Sequence, residues 1–257
     1  MGPGQNAAPS PEKLGIPMTK PLCLQATRYA AAIIDLDGTM VDTLEDFLVA
    51  TNAMLRDIGY AEVDRAVVEK RVGKGSENLV TSVLMYAAAQ SKLILNAPGN
   101  VADFNHALTL YQQHYRRING QHARVYPGVL GGLGALQAAG IQLACLTNKP
   151  VAFARELLRL KGLDGFFGHV FGGDTFVRKK PDPLPVLATC KALGAPPGLT
   201  LMVGDSSNDA QAARAAGCPV VLVTYGYNHG EPVADVGADA TVDSFAELAS
   251  LLALNKY

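Results

Sequence analysis

From residue 129 onward the chain repeats one alternation, a helical segment followed by a short apolar run. The runs fall at 141–146, 169–171, 199–203 and 220–223, and the helical segments at 129–139, 151–160, 184–193 and 210–216. The runs lack polar–apolar alternation, so both their faces must be buried, as in a parallel sheet held between two helical layers. Gly140, Gly162, Gly194 and Gly217 stand at the helix exits, where a left-handed residue ends a helix at least cost. Ala30-Ala31-Ala32-Ile33-Ile34 has the same buried-strand character but lies a hundred residues upstream. Between them, residues 44–124 hold almost no strand pattern and read as helices at 42–57, 63–71, 76–89 and 102–118. The fold expected is therefore an α/β parallel sheet with an α-helical unit inserted after its first strand. Ligands of open α/β sheets sit outside the carboxyl ends of the strands, so an insertion leaving from that end stands over the site as a lid.

A chain of 257 residues, 49% hydrophobic, can bury the core this requires. With 22 basic and 23 acidic side chains there is no overall field toward nucleic acid or an acidic membrane. No apolar stretch is long enough to span a bilayer. Residues 1–27, rich in proline and glycine and without the pattern of a secretion signal, read as a disordered leader. Cys23, Cys145, Cys190 and Cys218 form no CxxC pair and read as reduced core residues, which fits a cytoplasmic protein.

Chemistry-bearing residues cluster at the strand ends. The first strand runs into Asp35-Leu36-Asp37-Gly38-Thr39, the second into Thr147-Asn148-Lys149-Pro150. Lys179-Lys180-Pro181-Asp182-Pro183 follows the third, and Gly204-Asp205-Ser206-Ser207-Asn208-Asp209 the fourth. Two carboxylates as close as Asp35 and Asp37 repel one another, and burial raises the cost. A cation or a catalytic task offsets it. A carboxylate attacking a phosphoryl group needs a cation between the anions, donors on the phosphoryl oxygens and an acid for the leaving group. Asp35, Asp205 and a backbone carbonyl suit Mg²⁺. Thr147 supplies a hydroxyl, Lys180 a fixed positive charge, and Asp37 the acid and then the base that activates water.

These segments, in this order, resemble the four motifs of the haloacid dehalogenase superfamily over roughly residues 28–250. The resemblance implies a Rossmann-like core, residues 28–43 and 125–257, with the cap domain at 44–124. It implies Asp35 as nucleophile, Asp37 as acid–base, and Thr147 and Lys180, with Asn148 beside them, as phosphate and substrate ligands. Asp35, the carbonyl of Asp37 and Asp205 are then Mg²⁺ ligands, and Asp209 orients them. Within the superfamily, Val72-Gly73-Lys74-Gly75-Ser76-Glu77-Asn78-Leu79, Tyr126-Pro127-Gly128-Val129 and Val223-Thr224-Tyr225-Gly226-Tyr227-Asn228-His229-Gly230 are similar to bacterial phosphoglycolate phosphatases. Residues 93–101 have no counterpart there. The substrate implied is a small phosphate ester, most simply 2-phosphoglycolate, with no nucleic-acid or membrane partner and a monomeric or homodimeric state.

Several of these residues also have plainer roles. Thr147-Asn148 can cap the helix that begins near Pro150, and Asp42 and Asp182 can shape turns or helix starts. Lys180, directly before Pro181, is the site lysine rather than Lys179. Lys74, between two glycines, and Arg71 are the candidates to pair with a substrate carboxylate as the cap closes. The histidines show no metal-ligand spacing. Three alternatives stand beside the phosphoglycolate reading: a sugar-phosphate phosphatase, a phosphomutase, and a phospho-accepting receiver-type signalling domain. A receiver is about half this length and lacks an acid–base two residues after its acceptor. Dehalogenases and phosphonoacetaldehyde hydrolases lack an acid at the position of Asp37.

Overall fold

The computed structural model describes residues 29–90 and 104–253. The leader expected over 1–27, Cys23 and the segment 93–101 lie outside them. In chain order the elements are β1 (Ala31–Ile34), β2 (Val41–Asp42), α1 (Leu44–Asp57), α2 (Arg65–Glu69), α3 (Ser76–Gln90) and α4 (Phe104–Ile118). Then come β3 (Arg124–Val125), α5 (Val129–Ala138), β4 (Gln142–Leu146), α6 (Val151–Leu160), β5 (His169–Phe171) and α7 (Leu184–Leu193). The chain continues with β6 (Thr200–Gly204), α8 (Ser207–Ala216), β7 (Val220–Val223), β8 (Ala240–Val242) and α9 (Phe245–Ala253).

One six-stranded parallel sheet has the order β5-β4-β1-β6-β7-β8. Every residue of β1 is fully buried. Its side chains alternate between two apolar layers. Ala32 and Ile34 join the cluster formed with α5, α6 and α9, and Ala31 and Ile33 join that formed with α7 and α8. Each isoleucine so buried contributes about 1.5–3 kcal/mol, and the absence of a wet face explains the continuous apolar run. Ile34 pairs with Cys145 on one side and Val203 on the other. Asp35, Thr147 and Asp205 therefore leave the sheet at one edge, where the strand order reverses. Cys145, Cys190 and Cys218 are buried free thiols.

Helices α1 to α4 hold a separate apolar cluster that includes Phe47, Met54, Leu79, Tyr111 and Tyr115. Phe47 and Tyr111 both stack on Tyr115, with centroids 5.4 and 5.8 Å apart. Buried Asp46 ties α1 to the loop after α4 by accepting the Gly120 and His122 amides at 2.7 and 2.8 Å. At the crossing to the sheet, β2 and β3 pair antiparallel, Val41 with Val125 and Asp42 with Arg124. This ribbon is too short to leave a periodic pattern. The helix expected over 42–57 begins at Leu44, because the Tyr227 hydroxyl accepts the Thr43 and Leu44 amides at 2.8 and 3.1 Å while donating to Asp42 at 2.7 Å. The helix expected over 63–71 is only the five residues of α2. None of the helices among the described residues is long and apolar enough to cross a membrane.

Candidate active site

The turn after β1 sends its two aspartates different ways. Gly38 adopts φ 80° and its amide bonds Val41 O at 2.9 Å, which folds the chain back toward β2. A Cβ at Gly38 would overlap the Asp205 carboxylate, so glycine is required there on two counts. Asp35 Oδ1 accepts its neighbour's Leu36 amide at 2.8 Å and lies 3.0 Å from Lys180 Nζ. Asp37 turns instead toward the helical unit. Its Oδ1 accepts from Thr43 Oγ1 at 2.8 Å, and its two oxygens accept from Lys149 Nζ at 2.7 and 3.0 Å.

Asp35, Asp205 and Asp209 each bring one carboxylate oxygen within 4.8 Å of the others, and all three are buried. The glycine-ended strand β6 and the start of α8 place the last two. Asp209 and Ser206 form a reciprocal capping box, with the Ser206 amide and hydroxyl donating to Asp209 Oδ2 at 3.2 and 2.9 Å. Asp205 accepts from Thr39 Oγ1 at 3.2 Å and from the Tyr227 amide at 2.8 Å. Lys180 Nζ is fully committed, to Leu146 O at 2.8 Å, Asp209 Oδ1 at 2.7 Å and Asp35. Three carboxylates face one ammonium, an excess of two negative charges in a buried, all-oxygen pocket. That donor set fits a divalent hard cation such as Mg²⁺. The strain shows in the ionisation. Burial pushes the Asp35 carboxyl up to about 7 against the pull of Lys180, and burial with Asp209 and Asp35 pushes Asp205 up as well. Burial acts to lower Lys180, but Asp209 and Asp35 hold its ammonium above the usual lysine range.

Thr147 and Asn148 follow β4. The Thr147 hydroxyl accepts the Lys149 amide at 3.2 Å. Asn148 donates to Gly73 O at 3.0 Å and to Lys180 O at 2.8 Å, and accepts the Lys180 amide at 3.0 Å. Asn148 thus fastens the helical unit and the Lys180 backbone together. Capping of α6 falls to neither residue, contrary to expectation; Asp174, arriving after β5, accepts the Val151 amide at 2.8 Å. Gly73 O also receives Asn208 Nδ2 at 3.3 Å, which lies 3.1 Å from His229 Nε2. Lys179 bridges to Glu77 at 2.6 Å at the rim. The loop after α2 is therefore latched shut over the strand ends.

Lys74 is exposed and outside the lining of the cavity beneath the loop. Arg71 is held away, bonded to Val67 O and Ser82 O and stacked on Tyr86. Asp42 and Asp182 accept the Leu44 and Leu184 amides at helix starts. The cavity beneath the loop is lined by Asp35, Asp37, Thr147, Asn148 and Lys149, and by aromatic walls from Phe47, Tyr111, Tyr115 and Phe153. Thr43, Lys149 and the aromatic wall were not singled out from the sequence. Lys149 stands in the Thr147-Asn148-Lys149 run, and a second basic side chain at a strand end was the available signal.

The haloacid dehalogenase-like hydrolase family model matches residues 29–217. A phosphoglycolate phosphatase of Thiobacillus denitrificans is 40% identical over 222 residues, 86% of this chain and 95% of that protein. One from Nitrosospira multiformis is 42% identical over 225 residues, again 86% of this chain and 95% of the relative. Among solved structures, a predicted phosphoglycolate phosphatase of Haemophilus somnus superposes with a TM-score of 0.82 at 32% identity, covering 87% of this chain and 98% of that one. CbbY of Rhodobacter sphaeroides, solved in complex with phosphate, superposes with a TM-score of 0.69 at 27% identity, covering 86% and 96%.

Proposed function

Since the chain belongs to the haloacid dehalogenase-like hydrolases and is a phosphatase acting on small phosphate esters, we propose that it hydrolyses 2-phosphoglycolate to glycolate and phosphate through an aspartyl-phosphate on Asp35. The observation that carries the reaction type is the divergence of Asp35 and Asp37 from one turn. One carboxylate faces Lys180 and the acidic cluster, the other faces the cavity beneath the helical unit. The names of the relatives support the choice of substrate.

An Asp35 oxygen attacks phosphorus and the bond to the ester oxygen breaks. Asp37, held by Thr43, gives the departing alkoxide the proton it took from water in the preceding turnover. Asp37 then takes a proton from water, whose oxygen attacks the phosphorus of the acyl phosphate and frees Asp35. The Thr147 hydroxyl donates to the phosphoryl oxygens, while Lys180 offsets charge beside Asp35. Asp35, Asp205 and the Asp37 carbonyl would hold Mg²⁺, which when bound supplies charge neutralisation between the carboxylate and the phosphoryl group. Asp209, fixed by Ser206 and Lys180, orients that set.

A receiver domain has no use for Asp37 and its lid, and a sugar-phosphate enzyme differs in the ester it prefers. We place the enzyme in the cytoplasm, in keeping with its free thiols, as a monomer or homodimer. A panel of 2-phosphoglycolate, glucose phosphates and an aryl phosphate, assayed with Mg²⁺, decides. Preference for 2-phosphoglycolate is expected; a higher kcat/KM on a sugar phosphate would reject the substrate, and turnover of none would reject the enzyme.

A further inference from the structure

Lys149 is the cation that lines the cavity among the described residues, and neither the acidic cluster nor the latch uses it. Its side chain is only 2% exposed. Its backbone is fixed on the sheet side, the amide on Thr147 Oγ1 and the carbonyl accepting the Gly173 amide at 2.9 Å. The ammonium lies 4.4 Å from the Phe47 ring centroid and 4.9 Å from that of Tyr115, so α1 and α4 wall it in. Of its three N–H groups the Asp37 carboxylate can take two, and the third points among rings that offer no strong acceptor.

We propose that Lys149, rather than a residue of the lid, reads the carboxylate of the substrate. The inference rests on the phosphoglycolate reading and deepens it. With phosphorus at Asp35 and the ester oxygen facing Asp37, the carboxyl carbon of 2-phosphoglycolate lies two bonds beyond that oxygen. The group that binds the carboxylate must then be an immediate neighbour of Asp37, and Lys149 Nζ is 2.7 Å from it. Lys74 is exposed and does not line the cavity, and Arg71 is spent on backbone carbonyls. An ester lacking the carboxylate leaves the third donor of the buried Lys149 without a protein or substrate acceptor, which is how a buried polar group rejects the wrong ligand.

The test compares 2-phosphoglycolate with ethyl phosphate, its counterpart without the carboxylate, and reads the ratio of their kcat/KM values. Loss of Asp37 positioning strikes both esters alike and cancels in that ratio. Lys149→Met, and Lys149→Gln as a second neutral variant should the first not fold, are expected to lower the ratio at least about 30-fold. Lys149→Arg should keep most of it. A parent preference that survives both neutral replacements, or an equal fall on both esters, overturns the role of Lys149 alone. A parent enzyme with no preference for the carboxylate ester overturns the phosphoglycolate reading and this inference with it.

Discussion

Replacing Lys180 by methionine isolates the electrostatic problem at the centre of the site. Its ammonium touches Asp35 and Asp209 and bonds Leu146 O, with its side chain 2% exposed. Methionine fills the space but leaves three buried carboxylates without their cation. Breaking a buried pair from one side costs about 3–5 kcal/mol, or roughly 6–20 °C in the unfolding midpoint for a protein of this size. Differential scanning calorimetry in chelator should show that loss. Adding Mg²⁺ should raise the midpoint of Lys180→Met by more than that of the parent, because the variant carries one more uncompensated negative charge. Turnover should fall by about two to three orders of magnitude, as when a preorganised donor to a charged transition state is removed. A Lys180→Met protein as stable as the parent in chelator, with no larger gain from the cation, would refute the reading of these carboxylates as a mutually repelling cluster.

Three further perturbations address separate parts of the site. Asp37→Asn should slow turnover about 10²–10⁴-fold and accumulate phosphoenzyme, seen by intact-protein mass spectrometry; release at the parent rate would remove Asp37 from its acid–base role. Asn148→Ala cuts three hydrogen bonds at Gly73 and Lys180 and should cost about 1–3 kcal/mol, with faster hydrogen exchange over residues 72–76; unchanged exchange would mean the latch is held elsewhere. His229, its pKa lowered below 6.5 by burial and then by the Lys74 charge, with Glu231 and Asp209 opposing, resists protonation when folded. The stability it contributes is present above 6.5 and is lost as pH falls through the lowered value. Asn tolerates the positive φ of 54° there, so His229→Asn should flatten the fall in unfolding midpoint on acidification, and an identical slope in both proteins would exclude His229 as its source.

The sheet was legible because a strand buried on both faces needs an unbroken apolar run, and β1, β4, β6 and β7 each supply one. β2 and β3, two residues each, carry no such signal, and β8 begins half-exposed. Asp35, Thr147, Lys180 and Asp205 could be picked out because each lies just beyond a strand or in the loop that follows one. Lys149 also follows a strand and offered a basic side chain there, but its role depends on Asp37, 112 residues away, and on rings from two inserted helices. Phe47 looked like an ordinary core position on a helical stripe. Lys74 drew notice through its flanking glycines, which have φ of 97° and 90°, but their turn brings the Gly73 carbonyl to Asn148 and leaves Lys74 exposed and off the cavity lining. Side-chain direction at a loop is a tertiary property, and no local pattern records it.

The account stands or falls on whether phosphorus becomes bonded to Asp35. Acid quench of enzyme mixed with radiolabelled 2-phosphoglycolate and Mg²⁺, followed by peptide mapping, measures this directly. Label on the peptide containing Asp35, and none on Asp35→Asn, is the result predicted. Phosphate released at full rate with no labelled peptide, or by Asp35→Asn as fast as by the parent, would contradict it.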